Sequence, residues 1–185
     1  KEMNEILSHL GVEIVSEAEL GVRIEVEETG ETFTDNARLK ATAVMQATGL
    51  PAVADDSGLC VDALNGGPGV YSARFGGEGL DDKGRYTLLL EMLRGQTDRA
   101  AHFHTSIVCA FPNGDELVCE GECPGTIAFA PMGEGGFGYD PVFFVPELRK
   151  TFGQLTAEEK ASVSHRGKAL RAFAAALDDY LKGNE

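Results

Sequence analysis

The stretch AHFHTSIVCAF (residues 101–111), PNGD (112–115) and ELVCEGECPGTIA (116–128) decides the architecture. Asn113-Gly114 between two β-rich runs is a strong hairpin signal. Two arms this long make the hairpin the spine of a sheet, and helical and extended segments alternate around it. Met3, Ile6, Leu7 and Leu10 mark one face of an opening helix that Gly11 ends. Val12–Val15 reads as a short strand, and the carboxylate-rich run Glu25–Glu31 as a loop. A helix is expected from Thr34, as its cap, to Thr48, with Gly49 closing it. A short strand then leads to Asp55 and Asp56, and another covers Leu59–Ala63. Residues 65–69 (NGGPG) must be loop, and Asp81–Leu93 is helical. Beyond the hairpin come a glycine loop at 132–136, a strand at Pro141–Val145, a short helix at Thr156–Lys160 and a last helix over Arg166–Leu181. The pattern predicts an α/β protein. It is expected to be a single domain over residues 1–185, an elongated mixed β-sheet flanked by helices in two lobes with a central cleft.

Composition narrows the function. The chain has 185 residues, 43% hydrophobic and 25% charged, enough for a well-buried core. A formal net charge of −14 excludes a general nucleic-acid binder, which needs a Lys/Arg surface. A small phosphorylated substrate is still allowed, since a cation and a few basic residues can offset its charge. The four cysteines form no Cys-x-x-Cys pair and read as buried thiols, which fits a reducing, cytoplasmic setting. No apolar run approaches the ~20 residues of a membrane span. Lys1 stands where an initiator Met is expected, and a chain that opens inside a helix points to a missing preceding segment.

Chemistry gathers in a few segments. Ala54-Asp55-Asp56-Ser57-Gly58 offers metal-binding oxygens, a hydroxyl and a flexible backbone, suited to a divalent ion and a phosphate. Alone, it also reads as a surface turn. Phe137-Gly138-Tyr139-Asp140 puts two aromatics and a carboxylate on a glycine-flexed loop, a stacking face and an acceptor for a nucleobase. Alone, it reads as core aromatics beside a turn. Lys160, Ser164, His165 and Arg166 cluster at a helix entry that favours an anion or a carbonyl oxygen, or is simply a solvated helix start. Glu27 and Glu28 read as solvent-facing charges.

In order along the chain, EETG (27–30), TFTDNA (32–37) with Lys40, ADDSG (54–58), GPGVYSARF (67–75), GGFGYDP (135–141) and SHRG (164–167) resemble the inosine/xanthosine triphosphate pyrophosphatase family. The likeness is greatest to bacterial members and spans essentially the whole chain. It implies hydrolysis of non-canonical purine nucleoside triphosphates (ITP, dITP, XTP) to the monophosphate and pyrophosphate. It also implies Mg2+ held by Glu27 and Asp56, with Asp56 as catalytic proton acceptor and Asp55 assisting. An unperturbed Asp pKa of about 3.9 makes a poor base at pH 7, so Asp56 suits the positioning of a metal-activated water better. Ser57 is implied on a phosphate oxygen. Phe137, Gly138, Tyr139, Asp140, Lys160, His165 and Arg166 are implied around the base, and a homodimer near Gly67–Phe75 with Tyr71 and Phe75. The family opens with a strand and a Ser/Thr-Gly-Asn-x-x-Lys phosphate loop that this sequence lacks; Glu2 matches the Glu of the helix that follows. Asp35 and Arg85 replace the usual Glu and the common Asn. The competing readings are a pyrophosphatase for modified pyrimidine or methylated nucleotides, and a nucleotide-binding or structural protein without turnover.

Overall fold

The computed structural model describes residues 2–184. Lys1, a variable position in the family pattern, lies outside the described residues. The elements are helices α1 (Glu2–Leu7), α2 (Phe33–Thr48), α3 (Asp82–Met92), α4 (Ala157–Val163) and α5 (His165–Gly183). The strands are β1 (Ala52–Val61), β2 (Gly67–Pro68), β3 (Ala100–Ala110), β4 (Glu116–Ile127), β5 (Phe143–Val145) and β6 (Lys150–Thr151). One six-stranded sheet takes the order β2-β1-β3-β4-β5-β6. Pairing is antiparallel at β1–β2, β4–β5 and β5–β6, with Cys60 opposite Pro68, Thr126 opposite Phe144 and Phe144 opposite Thr151. The β3–β4 hairpin closes where Phe111 N donates to the Asp115 carbonyl at 3.0 Å.

Several expected boundaries move for identifiable reasons. Thr32, not Thr34, caps α2 and accepts from Asp35 N at 3.1 Å. The Thr34 hydroxyl is instead 2.9 Å from Ser106 Oγ and 3.1 Å from Glu120 Oε1. Val12–Val15 joins no strand ladder, because the Asn4 amide takes both the N–H and the carbonyl of Ile14, each at 3.1 Å. The region read as strand, turn and second strand around Asp55–Gly58 is one unbroken β1.

The chain divides into two compact units and passes between them four times. The first comprises Lys1–Asp56, Thr105–Gly121 and Arg166–Glu185, the second Ser57–His104 and Glu122–His165. Each has its own core. In the first, Leu7, Ile107, Cys109, Ala169, Leu170 and Phe173 pack together, beside a small-residue layer of Ala37, Ala41, Val108 and Ala110 that lets α2 approach the sheet. In the second, Phe103, Phe143 and Phe152 meet with ring centroids 4.5–5.4 Å apart. Fully burying one such ring contributes about 1.5–3 kcal/mol, and Phe143 lies in the three-residue β5 and Phe152 directly after the two-residue β6. The four cysteines are free thiols, and burial pushes Cys109 up to about 12. No described helix is long and apolar enough to cross a membrane.

Candidate active site

Successive residues of a strand point to opposite faces, and on β1 this separates two adjacent carboxylates. Ala54 packs on the α2 layer, and Asp56 on the same face accepts from Asn36 Nδ2 through Oδ2 at 3.1 Å. Val53 packs on the α5 side, and Asp55 on that face accepts from Arg166 Nη1 at 3.3 Å. The adjacent aspartates are therefore not a side-by-side donor pair.

The surroundings of Asp56 come from α2. Asn36 and Lys40, one helical turn apart, share a face. Asn36 is wholly buried, and its Oδ1 accepts from Gly30 N at 2.7 Å, which ties the preceding acidic loop to the helix. Lys40 Nζ stands 2.6 Å from Glu28 Oε1 and 3.8 Å from Asp56 Oδ1. Glu28, not Glu27, is thus the loop carboxylate that shares Lys40 with Asp56. Glu27 is exposed, and its carbonyl accepts from Thr29 N at 3.1 Å. Neither Asn36 nor Glu28 is singled out by the sequence reading as a site residue. The signal available was the four-residue spacing of Asn36 and Lys40 inside a helix whose cap and first turn are otherwise legible. The donors of this group are carboxylate oxygens, the hard set that Mg2+ takes, and Mg2+ needs only one or two of them beside water and phosphate. Glu27 and Asp56 fit that set by type.

A second group lies in the other unit. Asp140, 3% exposed, accepts through Oδ2 from Phe137 N at 3.0 Å and from Lys160 Nζ at 2.6 Å. Burial pushes its carboxyl above the ordinary range, an effect that Lys160 and the Phe137 N–H only partly offset. Gly136 makes this geometry reachable: its φ is +74°, and a Cβ there would overlap Asp140 Oδ2. Lys160 Nζ also sits 4.7 Å over the Phe137 ring, which is 74% exposed, and 5.5 Å over Phe152. Gly138 N donates to Asp82 Oδ2 at 2.8 Å. The buried Tyr139 hydroxyl donates to the Ser72 carbonyl at 2.7 Å, so Tyr139 braces the loop from within. His165 stacks on Phe103 with centroids 4.8 Å apart and 13° between planes. Ser57 is half-buried on β1. Within this unit the Phe137 ring faces solvent, and the buried Asp140 carboxylate joins the Phe137 backbone to Lys160.

Residues 1–176 match the model of the Ham1 family. A dITP/XTP pyrophosphatase of an Exiguobacterium species is 49% identical over 183 residues, covering 99% of this chain and 93% of that protein. Its counterpart from Shigella flexneri is 50% identical over 181 residues, covering 96% and 91%. The solved structure of a HAM1 protein from Coxiella burnetii superposes with a TM-score of 0.92 at 42% identity, covering 96% of this chain and 92% of that one. These likenesses span both units and every motif segment described above. The chain belongs to the Ham1 family.

Proposed function

We propose that this protein hydrolyses non-canonical purine nucleoside triphosphates (ITP, dITP, XTP) to the nucleoside monophosphate and pyrophosphate. The observation that carries the reading is the Asp56 cluster, a carboxylate aligned by a buried amide beside a lysine, in a chain about half identical to dITP/XTP pyrophosphatases. Water adds to the α-phosphorus, the bond from that phosphorus to the α–β bridging oxygen breaks, and the oxygen leaves with pyrophosphate. Asp56 orients the attacking water, whose proton passes to solvent. Lys40 offsets the charge of the phosphates, and Ser57 donates to a phosphate oxygen. Glu27 and Asp56 would hold Mg2+, which when bound polarises phosphate oxygens and acidifies water.

Selection of the base rests on donors. A 6-oxo purine offers an acceptor where adenine offers an amino group. Lys160 and Arg166 carry donors only, so they can bond a 6-oxo group and cannot accept from the amino group of adenine. Phe137 supplies an exposed ring for stacking, and His165 and Asp140 hold the neighbouring groups. Tyr71, 59% exposed with Arg74 5.1 Å over its ring, supports a homodimer through this segment, whereas Phe75 packs into the core of its own unit. Four free thiols suit a cytoplasmic place of work.

Pyrophosphate release from dITP, XTP, dUTP and ATP with Mg2+ tests the reading. Turnover of dITP and XTP far above dUTP and ATP is expected. A preference for dUTP, or release of orthophosphate instead of pyrophosphate, would overturn it. Light scattering that shows only a 19.7 kDa species would remove the dimer.

A further inference from the structure

The second unit carries a side-chain cluster that the pyrophosphatase reading does not use. His102 and His104 are two residues apart on β3 and so share one face, opposite the one on which Ala101 and Phe103 enter the core. Glu122 stands on the neighbouring β4, one residue before the buried Cys123, and so on that same outer face. Its Oε1 lies 2.9 Å from His104 Nδ1 and 4.0 Å from His102 Nε2. One donor atom from each residue falls within 4.8 Å of the other two. The imidazole planes are inclined at 72° with centroids 6.5 Å apart, so the rings do not block each other by stacking. The side chains are 33%, 15% and 59% exposed, which leaves the cluster open to an ion and to water.

We propose that His102, His104 and Glu122 form a binding site for a first-row transition-metal dication of the Zn2+ class. Two imidazoles and one carboxylate are a donor set such ions favour, with solvent completing the tetrahedron. Bond lengths of about 2.0–2.2 Å bring neighbouring donors to roughly 3.5 Å, which these side chains reach by small rotations. A simple cross-strand His–Glu pair accounts for His104 and Glu122 but gives no part to His102, whose Nε2 approaches the same oxygen. The chemistry differs in kind from that around Asp56. Mg2+ prefers oxygen donors and gives up its water reluctantly, so it does not compete for this face.

The test is calorimetric titration of tag-free, full-chain protein with Zn2+, without nucleotide and in excess Mg2+, supported by the visible spectrum of the Co2+ form. One Zn2+ per chain is expected, with a Co2+ spectrum of low coordination number. His102→Ala/His104→Ala should abolish that equivalent. Glu122→Gln should weaken binding at least tenfold, the scale that even an outer partner of a metal contributes. Circular dichroism and thermal melts of each metal-free variant establish that it folds. Cys60, half-buried on the adjacent β1, serves as the thiol control, and Cys60→Ser should retain the site. Zn2+ binding that survives His102→Ala/His104→Ala, that disappears in Cys60→Ser, or that Mg2+ displaces would overturn the proposal.

Discussion

Asn36 Nδ2 donates to Asp56 Oδ2 at 3.1 Å while Asn36 Oδ1 accepts from Gly30 N at 2.7 Å. The backbone donor fixes which way the amide faces, because only its oxygen can accept. One buried side chain thereby joins the acidic loop, α2 and β1. It also leaves the other Asp56 oxygen toward Lys40.

Asn36→Ala removes both bonds and strands the Gly30 N–H. A loss of about 1–3 kcal/mol is expected, the cost of leaving one such group unpaired. Urea melts beside dITP turnover would check it. A variant as stable as the parent would show that the amide is not the tie described.

Asp56→Asn keeps the size of the side chain and an oxygen for Asn36 to reach, but removes the charge. Turnover of dITP should fall by roughly two to four orders of magnitude, with the thermal midpoint little changed. The Lys40–Glu28 contact at 2.6 Å persists without it. Near-normal kcat at saturating Mg2+ would place the reaction on another residue.

Arg166→Ala should act on selection, not on turnover of the preferred substrate. Its guanidinium is exposed and contacts Asp55, and Glu2 lies 3.8 Å away. Loss of a donor that adenine cannot satisfy should narrow the ratio of kcat/KM for dITP over ATP. Loss of a hydrogen-bonding partner at a reading site is worth one or more orders of magnitude. An unchanged ratio would remove Arg166 from base reading.

Gly136→Ala meets two obstacles at once. The backbone sits at φ +74°, and the new Cβ would overlap the Asp140 carboxylate that anchors Phe137 N and Lys160. A loss of at least about 1–2 kcal/mol is expected from the left-handed backbone alone. Chemical denaturation gives the number. A neutral result would mean that the loop re-forms without the Asp140–Lys160 contact.

The Asp140 carboxyl is held above its ordinary 3.8 by burial. The folded state therefore binds this proton more tightly than the unfolded state. Its contribution to stability is fully present below 3.8 and is lost as pH rises through the raised folded value. Measured as the parent minus Asp140→Asn, the stability difference should decline as pH climbs through that window. Groups common to both proteins cancel in this difference. A difference that grows with pH would show that Lys160 outweighs burial.

What the sequence determined by itself is local or composed of local signals. The hairpin at Asn113-Gly114 and the end of α2 at Gly49 each depend on a few neighbouring residues, and each stands where it was read. The six ordered motifs likewise sufficed to indicate the family. Tertiary structure alone decided the course of Asp55-Asp56-Ser57-Gly58. Its turn-forming composition is overridden because β3 lies beside β1 and pairs with its backbone, and a continuous strand then sends Asp55 toward α5 and Asp56 toward α2. The same holds for Thr34, drawn from capping by Ser106 and Glu120, and for Tyr139, whose hydroxyl is taken by a carbonyl 67 residues away. A turn or capping preference is worth about 1 kcal/mol, and several hydrogen bonds formed across the chain, at about 0.5–1.5 kcal/mol each, together outweigh it.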